Sequence, residues 1–172
     1  FGGFVMHQYL CWIDASSRRS QGYGAGVPMG GQLKAEKGEA PVFVAWAEAD
    51  GERLLQRMQL IKGWLDADGN SHEKVIEVAG TSENGASVDL VTCETSGPGE
   101  RQLCGTWTDP DYNPDLPAFY YIRVLENPTC RWSVRQCNAL PADERPEACA
   151  DPDYYRSIQE RAWSTPIWVE TN

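Results

Sequence analysis

Histidine is nearly absent, with only His7 and His72 in 172 residues, and neither has a Cys or a second His at ligand spacing. That argues against a zinc centre or histidine-built metal cluster within the chain, because such sites need several closely set donors. Also missing are C-x-x-C pairs, a G-x-S-x-G elbow and the glycine spacings of dinucleotide and phosphate loops. The usual signatures of an activated nucleophile or a nucleotide site are therefore not here. No apolar run approaches the ~20 residues that span a bilayer. Basic residues are few: 15 Lys plus Arg stand against 25 Asp plus Glu, a net charge of −10. A field of that sign repels nucleic acid and anionic membrane surfaces.

What the chain does have is material for a core. With 41% hydrophobic residues, seven Trp and seven Tyr, residues 1–172 suit one domain able to bury about 70% of its unfolded surface. The opening Phe1-Gly2-Gly3-Phe4-Val5 reads as the interior of a longer protein. A first strand deprived of its neighbour there would leave an open edge or apolar patch at Phe1 to Val5, inviting self-association. The six cysteines, Cys11, Cys93, Cys104, Cys130, Cys137 and Cys149, lack metal spacing and so read as disulfides formed in an oxidising, periplasmic or secreted setting. Many pairings are open to six cysteines. The shortest loops would join Cys93 to Cys104 and Cys137 to Cys149, leaving Cys11 for Cys130. A Cys93–Cys104 bridge would be worth about 3 kcal/mol by loop entropy.

Turn residues punctuate the chain often. Gly22 to Gly31 is a glycine-rich loop, and Val42 to Ala47 is a strand apolar on both faces, as in a sandwich. Leu54 to Leu65 fits helical spacing through Leu54, Leu55, Met58, Ile61 and Leu65, and strand spacing through Met58, Leu60 and Trp64. The turn Asp66-Ala67-Asp68-Gly69-Asn70 and the β-rich Lys74 to Val78 behind it favour a hairpin. Further strands are expected over Ser87 to Cys93, Leu103 to Thr108, Phe119 to Glu126 and Trp163 to Val169. Leu140 to Pro152 reads as an irregular excursion, and Asp153 to Arg161 as holding a helical turn. The fold expected is mainly β: an antiparallel sandwich with long, disulfide-tied loops.

Candidate ligands are few. Asp66, Asp68, Asn70 and Glu77 match oxygen positions of a calcium loop, but Ser71 stands where that loop needs Gly, so a hairpin turn is the better reading. Asp109, Asp111, Asn113 and Asp115 offer oxygens to a hard cation, yet the interleaved prolines describe a rigid loop equally well. Glu160 and Arg161, beside Trp163, read as a structural ion pair. No complete active site is visible.

Several ordered phrases go further. Gly26-Val27-Pro28-Met29-Gly30-Gly31, Gln59-Leu60-Ile61-Lys62-Gly63-Trp64 and Trp107-Thr108-Asp109-Pro110-Asp111 come first. Phe119-Tyr120-Tyr121-Ile122-Arg123-Val124-Leu125-Glu126, Asn127-Pro128-Thr129-Cys130-Arg131-Trp132 and Ile158-Gln159-Glu160-Arg161-Ala162-Trp163-Ser164-Thr165-Pro166-Ile167-Trp168 follow. Together they resemble the C-terminal portion of a bacterial family catalogued as domain of unknown function 3604. The resemblance implies an exported protein several times longer, whose N-terminal part is similar to metal-dependent phosphoesterases of the polymerase-and-histidinol-phosphatase type. A divalent metal would belong to that part, and this chain would need no cofactor of its own.

The expectation is then an accessory β-sandwich that packs on the hydrolase-like domain and shapes its cleft. Met29, Gly30, Gly31, Arg131, Trp132, Glu160 and Arg161 are the expected contacts, with Arg131 gripping an anionic group bidentately. The alternatives are a module binding carbohydrate or a calcium-bridged ligand, with Trp64, Trp107 and Trp132 as the sugar platform, or a purely structural piece.

Overall fold

The strand Val42–Glu48 shows how this sequence builds a layer. Val42, Val44 and Trp46 alternate with Phe43, Ala45 and Ala47, and the first four residues are all buried. A strand apolar on both faces has to lie between two covering layers. In the computed structural model, which describes residues 1–5, 9–35, 38–51 and 53–170, Phe43 and Ala45 point into the main core. Val42 and Val44 instead join Phe4 and Leu10 in a second, smaller cluster on the other side.

Among the described residues two sheets dominate. The smaller runs β2 (Val27–Pro28), β1 (Gly2–Phe4), β4 (Val42–Glu48), β9 (Gln102–Thr108), antiparallel throughout. The larger runs β3 (Gln32–Lys34), β14 (Ile167–Glu170), β10 (Ala118–Glu126), β5 (Leu55–Leu65), β6 (Ser71–Gly80), with β13 (Arg161–Trp163) also on β10. Only the β3–β14 pair is parallel among these. Two short hairpin-like pairs, β7 (Ser87–Val88) with β8 (Thr95–Ser96) and β11 (Thr129–Cys130) with β12 (Ser157–Ile158), sit outside. Helices α1 (Ala15–Ala25) and α2 (Trp132–Ala139) and the short 3₁₀ turns Leu10–Trp12, Ala142–Glu144 and Glu147–Ala150 complete the regular structure of the described residues.

The sheets stack face to face. Phe43, Ala45 and Leu103 of the smaller meet Met58, Leu60, Tyr120, Ile122, Ile167 and Val169 of the larger. Phe43 and Tyr120 stack with ring centroids 4.2 Å apart. At one side the layers nearly touch: a Cβ on Gly105 of β9 would collide with the Val78 carbonyl of β6. The mainly β, antiparallel sandwich with disulfide-tied loops is thus what the chain adopts.

Several expectations need correcting. Residues 15–25, whose end lies in the expected glycine loop, form α1, because Asp14 caps the first turn by accepting from the Ser16 and Ser17 amides at 3.0 Å. That cap outweighs two interior glycines. Ser87 to Cys93 is a strand only at Ser87–Val88, since Asp89 turns the chain by binding the Val91 and Thr92 amides. Trp163 to Val169 breaks at Pro166 into β13 and β14. Asp153 to Arg161 holds no helical turn: after Asp153 it gives β12 and enters β13. Nor is β1 the open edge that a first strand deprived of its neighbour would leave at Phe1 to Val5. β2 flanks β1 on one side and β4 on the other, and Phe4 is buried.

Cys137–Cys149 forms as expected, but the other bridges are Cys11–Cys104 and Cys93–Cys130. The 3₁₀ turn Leu10–Trp12 lies over the smaller sheet, which puts Cys11 above Cys104 of β9. Cys93 instead packs with Cys130 and Val134 in a satellite cluster, so closeness in sequence was a false guide. No helix of the described residues is long and apolar enough to cross a membrane.

Cys11–Cys104 closes a separation of 93 residues, which loop entropy values at about 4–5 kcal/mol. A Cys11→Ser, Cys104→Ser variant is expected to lose about 3–5 kcal/mol in urea unfolding. Non-reducing peptide mapping should return the Cys11–Cys104 pair and no Cys93–Cys104 pair.

Candidate functional site

Lys62 sits in β5, a strand bounded on both sides, and only 5% of it is exposed. A buried ammonium needs a partner, and it has one: Nζ lies 2.5 Å from Oδ2 of Asp109, itself 1% exposed. The Tyr120 hydroxyl donates to the same oxygen at 2.6 Å. Lys62 also donates to the Asp111 carbonyl at 3.2 Å and lies over the Trp64 ring. Lys74, opposite Lys62 in register, binds Asp111 Oδ2 at 2.8 Å. Two lysines that would repel across the strand pair are therefore interleaved with two aspartates.

Burial, aided by the bond to Asp109, pushes the Tyr120 phenol far above its ordinary range. The Lys74 partner holds Asp111 below the usual carboxylate range, and Asp111 in turn raises Lys74. Both Asp109 oxygens lie in a buried carboxylate held by Lys62, Tyr120 and the Asp111 amide. The loop at Asp109 and Asp111, a weak cation candidate, is built around lysines. At the other candidate, Asp66 accepts from the Asp68 and Asn70 amides and from His72, whose bond most strongly lowers its carboxyl. That is the hairpin turn, with His72 stacked on Trp64. His7 lies outside the described residues.

The seven expected contact residues do not form one site. Met29, Gly30 and Gly31 meet the start of β14: the Gly30 amide donates to the Pro166 carbonyl at 2.9 Å, and Gly31 accepts from Trp168 at 3.1 Å. Trp168 pairs with Phe119, whereas Arg161 pairs with Leu125, about 20 Å away along β10. Glu160 and Arg161 make no ion pair with each other; the Arg161 guanidinium donates to the Gln159 carbonyl instead. Arg131 leads into α2 with its guanidinium over the Tyr154 ring, and Trp132 is exposed. Of the three tryptophans expected to carry a sugar, Trp64 and Trp107 are half-buried against the core, leaving Trp132 alone at the surface.

Two surfaces that sequence reasoning passed over are more promising. The first is a cleft of about 630 Å³ between α1 and the outer face of the smaller sheet. Phe4, Leu10, Val27, Val44 and Trp46 form its apolar walls, Met29 and Tyr23 its lip, and Arg18 and Arg19 its rim. Arg18 is fixed by donating to the Leu10 and Ile13 carbonyls and by lying 4.9 Å from the Trp46 ring centre. α1 buries none of its own residues, its Tyr23 being 69% exposed, and Tyr9, Trp12 and Met29 around it are all more than half exposed. The second is the outer face of the larger sheet, which carries Phe119, Tyr121 and Arg123 at alternate positions of β10. That period of two was readable, but not which face would stay bare.

No group of three His, Cys, Asp or Glu side chains among the described residues is placed to hold a metal ion. The family model described as "Protein of unknown function (DUF3604)" matches residues 1–171. No curated protein and no solved structure matches the chain.

The buried network makes its own prediction. Lys62→Met strands the Asp109 charge and is expected to cost about 3–5 kcal/mol in urea unfolding, much of it recovered by adding Asp109→Leu. Above about pH 10 the unfolded chain releases a phenolic proton that folded Tyr120 keeps, so stability falls as pH rises. Tyr120→Phe should flatten that alkaline decline.

Proposed function

The chain belongs to the DUF3604 family of proteins of unknown function, and we propose that it serves a longer, exported protein as an accessory β-sandwich. In this reading it packs on a hydrolase-like, phosphoesterase-type domain of the same protein and forms part of the wall of its cleft. The metal and the bond-breaking chemistry belong to that domain. Three disulfides fit the oxidising compartment, periplasmic or extracellular, that the proposal requires.

The observation that carries the reading is the α1 side of the smaller sheet. Helices draw most of their stability from burying a face, yet α1 has no buried residue and two interior glycines. Its exposed Tyr23, with exposed Met29 beside it, lines an apolar cleft, and Trp12 is exposed in the turn before the helix. Contiguous exposed apolar surface of this kind marks a docking face. The Gly26–Gly31 phrase contributes Met29 to that surface, which gives the expected contact residues at this end a place. Arg131, Trp132, Glu160 and Arg161 lie elsewhere and are left out of the contact.

Hydrogen exchange tests the docking. The amides of α1 should exchange at least tenfold more slowly in the full-length protein than in this chain alone, and Met29→Asp should abolish the difference while leaving the sandwich strands protected. Equal α1 exchange in the two proteins would sink the proposal.

A further inference from the structure

The outer face of the larger sheet has no covering layer among the described residues, and its composition is unusual for a wetted face. Phe119, Tyr121 and Arg123 lie along β10, flanked by Trp168 opposite Phe119 and Trp163 opposite Arg123. Solvent-facing sheet surfaces are normally polar at alternate positions. Here Trp163 is 58% exposed and Trp168 51%.

The rings do not stand off the sheet. Gly63 of β5 pairs with Phe119, and a Cβ there would collide with the distal edge of the Phe119 ring. Phe119 therefore leans across the glycine and lies along the sheet. Tyr121 runs parallel to it, 12° between planes and 6.4 Å between centroids, and Trp168 abuts Phe119 at 5.1 Å. Beyond them the surface turns polar: Arg123 donates through Nε and Nη2 to Gln59 Oε1 at 3.0 and 2.7 Å. Gln59 is itself buried, at 7% exposure, and holds the partly exposed Arg123 guanidinium against the sheet. Trp163 and Trp168 stand four register positions apart on one edge of β10, about 14 Å.

We propose that this face binds a neutral, extended polysaccharide, its sugar rings stacked on Trp168, Tyr121 and Trp163 and its hydroxyls taken by Arg123, which Gln59 holds in place. Flat aromatic faces present electron density to the polarised C–H groups of a pyranose, and the N–H groups of a planar guanidinium suit hydroxyl acceptors. The two-tryptophan spacing selects a chain over a monosaccharide. The face itself is near charge balance, with Glu77 paired to Arg57 and with Arg123 and Arg161 to offset Glu73, while the chain as a whole carries −10; neither favours a polyanion, which leaves a neutral chain. The site is separate from the α1 cleft, and the inference stands whether or not that cleft docks a second domain.

Affinity electrophoresis of the chain in native gels containing hydroxyethylcellulose, mixed-linkage β-glucan, galactomannan or arabinoxylan tests it, with alginate as the anionic control. At least one neutral polymer should retard migration and alginate should not. Trp163→Ala and Trp168→Ala should each weaken retardation tenfold or more. Trp132→Ala, on a different surface, should leave it unchanged, and urea midpoints should show all three variants folded. Absence of retardation by every neutral polymer overturns the proposal, as does retardation that survives the double Trp163→Ala, Trp168→Ala change. A concentration-dependent dimer in sedimentation that Trp168→Ala dissolves would assign the face to a second copy instead.

Discussion

A charged lysine in the middle of a central strand has to be neutralised before two sheets can close over it, and the arrangement around Lys62 follows from that requirement. Its partner, Asp109, comes from the loop that leaves the smaller sheet, while Tyr120 comes from the larger. The three groups therefore tie the layers together at one end of the sandwich. Desolvating such a pair costs nearly what the pairing returns, so the network adds little net stability. It instead specifies one position for the 109–117 loop, because any other would leave a buried charge alone. Three of the ordered phrases meet here, contributing Lys62, Asp109 and Tyr120 to one buried network.

Once the sheets are locked, each has one face on the core and one to dispose of. The smaller sheet places Val42, Val44 and Phe4 outward and roofs them with the Leu10–Trp12 turn, held by Cys11–Cys104. α1 continues that roof without closing it, which leaves the cleft. The larger sheet receives no roof from the described residues. Its Ile61 is buried all the same, on the face where Tyr121 lies beside it in register. One sandwich thus presents two chemically distinct surfaces, an apolar cleft on one side and an aromatic, partly polar plane on the other.

The remaining disulfides act at the periphery. Cys93–Cys130 and Cys137–Cys149 hold a segment whose regular elements are two short strand pairs and an eight-residue helix with one buried side chain, Val134. So little apolar burial cannot order a segment of this length, and the covalent links take over that task.

The amino-acid sequence by itself determined the strands whose side chains declare two faces. Val42 to Ala47, Met58 to Trp64 and Phe119 to Glu126 read as strands because alternation of large apolar residues is a local property, and the Asp66–Asn70 turn follows from its residue types alone. Burial could not be read the same way. α1 and α2 lack an apolar stripe, so only the Asp14 cap with Ser16 and Ser17 hinted at the first, and nothing local marked the second. Lys62 and Asp109 lie 47 positions apart in the chain, and nothing local marks them as partners; the packed sheets bring them to 2.5 Å. Cysteine pairing, the bareness of the Trp163–Trp168 face and the separation of Met29 from Arg161 were likewise decided in the tertiary structure. Each depends on which layer covers which, and that is a relation between segments far apart in sequence.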